Sequence, residues 1–167
     1  MIRRAALACC ILLLGWPALS GCGYRQDALF RQDVRTVHVE IFESREFRRE
    51  LEFQLTEAVK KRIGLDTPYR IASRSQADTI LWGEVLEERQ ASFAPDFRTR
   101  RPRDQQLTLA VRVRWKDQRN GRMLLDQPEL LQAVDYLPLE GETENFAQQK
   151  AIDRLAARIV AKMYDEW

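Results

Sequence analysis

The chain has 167 residues, with 27 Lys and Arg against 25 Asp and Glu, one His and three Cys. A formal charge of +2 gives no sign of a nucleic-acid partner, and one histidine leaves little material for a metal cluster or a His-based catalytic pair. The length suits one domain with one real core.

The chain opens with Arg3 and Arg4, an apolar run from Ala5 to Leu14, and small residues closing on Leu19-Ser20-Gly21-Cys22. This is the charged, apolar, small-residue order of an export signal, and the apolar run is too short for a comfortable transmembrane helix. The Leu-Ser-Gly-Cys segment resembles the bacterial lipobox. That resemblance implies cleavage before Cys22, a diacylglycerol on the Cys22 thiol and acylation of the new amine. Each buried methylene contributes about 0.8 kcal/mol, so two or three acyl chains hold a protein on a bilayer where one is marginal. Loss of residues 1–21 from 167 leaves 146, with Arg3 and Arg4 gone and 25 basic residues against 25 acidic. Cys9 and Cys10 leave with the signal, so no disulfide is expected. Residues 22–34 follow as a lipidated tether, which reaches at most about 40 Å and keeps the domain beside the membrane. Whether Tyr24, Leu29 and Phe30 pack on the domain or face a partner is left open.

Residues 35–167 form the expected single periplasmic domain. Thr36 to Phe42 alternates, with Val37, Val39 and Ile41 on one face and Thr36, His38 and Glu40 on the other. His38, the only histidine, lies on the polar face without a clustered ligand and reads as a solvated strand residue. A helix follows, with Ser44 as N-cap, Gly64 as stop and Lys60, Lys61 and Arg62 complementing its dipole. Phe47, Leu51, Leu55, Ala58 and Val59 form its apolar stripe, while Phe53 falls on the opposite side.

Pro68 restarts the chain, and Tyr69 to Ala72 reads as a short strand. Ala77-Asp78 then leads into Thr79 to Glu87, apolar on both faces as a central strand would be, with Gly83 marking a bulge or a close backbone approach. Leu107, Leu109, Val111, Val113 and Trp115 alternate with Thr108, Ala110, Arg112, Arg114 and Lys116. Asn120-Gly121 signals a hairpin, which returns through Met123 to Tyr136, and Pro128 makes that last strand interrupted or an edge. From about Thr143 a second amphipathic helix turns Ile152, Leu155, Ala156, Ile159 and Met163 inward. Glu140, Glu142 and Glu144 at its start complement the helix dipole better than they would form a calcium site. The expected fold is α+β: a single layer of mainly antiparallel four-stranded sheet with two amphipathic helices on one face, in the order β-α-β-β-β-α.

Arg89 to Gln105 reads as a long connection without secondary structure, because Pro95 and Pro102 block helix. Arg98, Arg100, Arg101 and Arg103, with Phe93 and Phe97 interleaved, are candidate contacts for lipopolysaccharide or a partner. Guanidinium forks take phosphate oxygens, and phenylalanines lie against acyl chains. A solvated loop whose charge maintains solubility would look the same. No phosphate loop, metal cluster or nucleophile pair is present in the sequence, and Glu87 and Glu88, adjacent on a strand, point to opposite faces. No cofactor, metal or catalysis is expected.

Several short motifs fall in one order: Cys22-Gly23-Tyr24, the strand Val37 to Phe42, the helix led by Phe47, Ala77-Asp78 before Leu81-Trp-Gly-Glu-Val85, Asn120-Gly121-Arg122, and the terminal helix. In that order and spacing the chain resembles the LptE family of lipopolysaccharide-assembly lipoproteins over nearly all of its mature length. The resemblance implies a four-stranded sheet with two helices. It also implies an outer-membrane lipoprotein that plugs and helps assemble the β-barrel lipopolysaccharide translocon LptD and can bind lipopolysaccharide. Gly23 after the acylated cysteine is compatible with outer-membrane sorting in that class. The arginine cluster aligns with no family motif, so its role is an inference from chemistry alone. The alternative is a periplasmic lipoprotein scaffold or pilot for another envelope assembly.

Overall fold

The computed structural model describes residues 30–44, 50–95 and 102–164. Its elements run β1 (Thr36–Val39), β2 (Glu43–Ser44), α1 (Leu51–Asp66), β3 (Arg70–Ile71), β4 (Thr79–Pro95), β5 (Pro102–Asp117), β6 (Met123–Tyr136) and α2 (Glu144–Ala161). The long strands β4, β5 and β6 pair antiparallel, while β1 pairs parallel with both β3 and β4. The sheet order is β3-β1-β4-β5-β6, and β2 adds to β4 just past β1. The α+β class and the two helices agree with the alternation read above. The sheet, however, has six strands and is mixed. Its parallel side exists because α1 carries the chain back over the sheet between β1 and β4, which a hairpin cannot do.

One face of the sheet is apolar and covered. Leu81, Val85, Leu107, Leu109, Val111, Val113 and Trp115 are buried there with Val37, Val39, Leu130 and Val134. Leu51, Leu55, Val59 and Ile63 of α1 and Ala151, Ile152, Leu155, Ala156 and Ile159 of α2 complete the same cluster. Arg112, Arg114 and Lys116 alternate to the other face, which no described helix covers.

The first strand is shorter than its alternation suggests. The ladder ends where Glu40 N–H donates to the Leu81 carbonyl (2.9 Å), and the chain then turns. Ile41, expected inward, is 54% exposed, and Phe42 takes the buried place at 1%. Gly83 is the reason. A Cβ there would lie 2.4 Å from Phe42 Cε1 and 2.5 Å from the Arg112 carbonyl oxygen, so the Phe42 ring occupies the room a side chain would need. The close approach at Gly83 is therefore present, while the β-bulge lies further on, between Val85 and Glu87. Phe42 N–H donates to Thr56 Oγ1 (3.0 Å), and that buried hydroxyl donates in turn to the Glu52 carbonyl (2.6 Å).

Two of the expected helix boundaries are corrected. Ser44 is not an N-cap, because it pairs with Val85 as part of β2, and α1 begins at Leu51 after Glu50. Gly64 lies inside α1, which ends where Thr67 Oγ1 (2.7 Å) and Thr67 N–H (3.1 Å) both donate to the Ile63 carbonyl. Phe47 lies outside the described residues. Phe53 is exposed, as its place opposite the stripe implies. Thr143 caps α2 by accepting from Phe146 N–H (3.2 Å), and Glu142 accepts from Leu137 N–H (2.8 Å) beside it. His38 is half-buried and donates from Nδ1 to the Ala72 carbonyl (3.0 Å). Pro128 sits where the ladder slips between Val111 and Val113, on a strand that is also the sheet's edge.

Phe30 and Val34, at the end of the expected tether, are buried. The Phe30 ring meets Tyr164 at 4.7 Å and Tyr69 at 5.6 Å, and the Tyr69 hydroxyl accepts from Arg31 N–H (3.0 Å). The chain thus enters the domain beside its C-terminal end.

Candidate functional site

The segment read as a long loop is mostly sheet. β4 and β5 pair as far as Phe93 opposite Asp104 and Pro95 opposite Pro102, whereas β6 stops at Tyr136 opposite Gln105. The hairpin therefore runs past the third strand as a two-stranded ribbon. The prolines argue against helix but not against this ladder, because they face each other on its final rung, where a missing N–H costs little. Polar residues on both faces, from Glu87 to Gln90, give no apolar alternation to read.

The base of the ribbon is held by side chains. The Tyr136 hydroxyl donates to Gln105 Oε1, and Gln106 Nε2 donates to Asp135 Oδ1 (2.7 Å). Burial, and after it the Glu144 charge, pushes Tyr136 above its usual range and keeps it a donor. Among the candidate contact residues, Phe93 and Arg103 lie on the ribbon backbone. Phe97, Arg98, Arg100 and Arg101 belong to residues 96–101, which connect the two strands and lie outside the described residues, as does Cys22. The hairpin thus brings both ends of the arginine segment to one end of the sheet.

The uncovered sheet face is a second surface, which alternation located without naming. Its rows, read across the register, are His38, Ile80, Lys116 and Met123; then Trp82, Arg114 and Asp126; then Glu87, Ala110 and Leu131. Ile80 and Trp82 are half-buried and Leu131 is 48% exposed. Ion pairs join Arg112 to Glu84 (3.2 Å) and Arg114 to Asp126 (3.3 Å) between them. The second pair is exposed and contributes about 0–1 kcal/mol, so it solubilises this face more than it holds it together.

The opposite end of the sheet is built on two aspartates. Asp78 Oδ2 accepts from Arg35 N–H, Thr36 N–H and Thr36 Oγ1, each at 3.0 Å. These bonds, the one from Arg35 first, hold its carboxyl below the ordinary range despite partial desolvation. Asp117, 1% exposed, accepts from Arg119 N–H (2.8 Å), Arg119 Nη2 (2.9 Å) and Asn120 Nδ2 (3.2 Å). The Arg119 side chain is the main reason its carboxyl also lies low. Gly121, at φ +73°, closes the turn by donating to the Asp117 carbonyl (3.0 Å). Ala77-Asp78 and Asn120-Gly121 are therefore joints of the fold.

Among the described residues, no group of three or more His, Cys, Asp or Glu side chains is placed to hold a metal, and no helix is long and apolar enough to cross a membrane.

A family model described as LptE, lipopolysaccharide-assembly, matches residues 34–166. No curated protein matches the chain. Among solved structures, the hypothetical protein CT253 from Chlamydia trachomatis is similar at a TM-score of 0.56 and 16% identity, over 77% of this chain and 95% of that one. PelC from Paraburkholderia phytofirmans, solved as a dodecamer, is similar at a TM-score of 0.53 and 15% identity, over 79% of this chain and 90% of that one. At these identities the two share a fold with this chain and nothing further is drawn from them.

Proposed function

The chain belongs to the LptE lipopolysaccharide-assembly family, and we propose that it is a non-catalytic outer-membrane lipoprotein, anchored through Cys22, that plugs and helps assemble an LptD-like β-barrel translocon. The family match covers residues 34–166, which is nearly the whole of the folded chain, and it carries this reading. The uncovered sheet face supports it. Ile80, Trp82 and Leu131 offer apolar area between short ion pairs, which suits a wet, partly apolar surface such as a barrel wall. On this reading Arg98, Arg100, Arg101 and Arg103, with Phe93 and Phe97, meet lipopolysaccharide at the hairpin tip. Guanidinium groups would take its phosphates and phenyl rings its acyl chains.

The deciding experiment is affinity purification from membranes solubilised in a mild detergent. A stoichiometric β-barrel several times the size of this chain is expected. A chain that emerges alone, or with soluble envelope proteins only, overturns the reading and favours a scaffold for another assembly. Mass spectrometry of the same sample should find a chain beginning at an acylated Cys22. Changing the four arginines to Ala should weaken lipopolysaccharide binding most at low salt, where exposed charges are least screened. Unchanged binding at low salt would remove the hairpin from the proposal and leave the plug in place.

A further inference from the structure

At the end of the sheet away from the hairpin lies a cavity of about 410 Å³, bounded by the end of β5, the start of β6 and the residues that follow α2. Three cationic side chains from three separate parts of the chain meet on its wall: Arg31 from the N-terminal segment, Arg122 from the turn before β6 and Lys162 from the end of α2. Arg31 is partly engaged by Asp33 at 3.2 Å. Neither Arg122 nor Lys162 has an ion-pair partner among the described residues. Asp126, a carboxylate on the same wall, is paired with Arg114 at 3.3 Å.

Trp115 supplies a reporter beside these cations. It forms part of this wall, is 1% exposed, and its indole Nε1–H has no hydrogen-bond acceptor among the described residues. That nitrogen has almost no accessible surface, so the ring bounds the cavity and reports on it without binding in it. Three cations around one space call for a ligand that carries negative charge and several oxygens. Leu124 and Tyr164 add apolar wall beside them, which suits an oxyanion carried on a less polar body.

We propose that this cavity binds a phosphate group, with Arg122 and Lys162 taking its charge beside the Trp115 ring on the wall. Free phosphate and a phospholipid headgroup present the same chemistry. The Leu124 and Tyr164 wall favours the headgroup, and the chain enters the domain at this end through Phe30.

The test follows the indole N–H resonances of the purified chain, labelled with 15N-tryptophan, at fixed ionic strength. The Trp115 signal is assigned by elimination with Trp16→Phe, Trp82→Phe and Trp167→Phe. Inorganic phosphate and dihexanoyl phosphatidylglycerol are titrated in parallel, with dihexanoyl glycerol as the phosphate-free control. A saturable shift of the Trp115 proton with either phosphate compound supports the site, and the tighter of the two identifies the source. Arg122→Gln with Lys162→Gln, both at exposed positions, should weaken that binding about tenfold or more while leaving the fold intact. No shift with either phosphate compound, an equal shift with dihexanoyl glycerol, or affinity unchanged in the double variant overturns the proposal. The barrel pull-down does not depend on this cavity, so the two tests fail independently.

Discussion

Asp78 joins the N-terminal segment to the central strand, and removing it should loosen the parallel side of the sheet. Of its three bonds, the one from Arg35 N–H is exposed and readily taken over by water, while the two from Thr36 are partly buried. A net value of about 1–1.5 kcal/mol for each of the latter puts Asp78→Ala at about 2–3 kcal/mol of lost stability. Asp78→Asn keeps a carbonyl oxygen in place and removes only the charge, for about 1 kcal/mol. Because the folded carboxyl titrates below its ordinary value of 3.8, the charge contributes fully above that value. The contribution shrinks as pH falls through 3.8 and is gone below the depressed folded value. Urea unfolding followed by circular dichroism, at pH 7 and at steps below pH 4, measures both quantities. Adding Thr36→Val should give less than additive loss with Asp78→Ala, since the two share a bond. Asp78→Ala within 0.5 kcal/mol of wild type at pH 7, or a gap between wild type and Asp78→Asn that does not change with pH, would refute this account.

The same assay reaches three other joints. Gly83→Ala should cost about 2–3 kcal/mol, because the Phe42 ring can shift but the Arg112 carbonyl cannot; Phe42→Leu in the same chain should recover only part of the loss. Thr56→Val keeps the shape of a buried side chain but strands Phe42 N–H, and should cost about 1–3 kcal/mol where Thr56→Ser costs less than half of that. Asp117→Ala should lower stability by about 2 kcal/mol at pH 7 and by progressively less as pH falls below the usual carboxylate range, since the folded carboxyl is held low.

What the residues disclosed in advance were features set by near neighbours. The alternation of Leu107 to Trp115 placed the covered face correctly, and Thr143 with the stripe from Ile152 to Ile159 placed α2. Two of the misreadings share one cause, a partner distant in sequence. Ile41 continues the alternation of Val37 and Val39, yet Phe42 is the buried residue because Gly83, some forty residues on, leaves space for its ring. Ser44 is a good cap by type, but β4 offers it a ladder instead. The candidate phosphate cavity was invisible for the same reason. Arg31, Trp115, Arg122 and Lys162 share no motif, and the packing of Phe30 on Tyr164 helps to bring them to one place.

The register separates the charges along the hairpin into two groups. Past Val85, where β2 ends, no described strand pairs with the free side of β4, so among the described residues its backbone from Leu86 onward is an open edge. An open edge invites pairing with another chain, and bulges and charged side chains oppose it. Both devices sit where that edge begins: the bulge between Val85 and Glu87, and the Glu87–Arg89 pair at 2.8 Å. Those charges are accounted for whether or not any ligand binds. Arg98, Arg100 and Arg101 come after the last described rung, at Pro95 and Pro102. Edge protection therefore explains Glu87 and Arg89 and leaves the distal arginines unexplained. That is why neutralising the distal cluster, and not the charges along the strand, discriminates between solubility and recognition as the reason for the arginines.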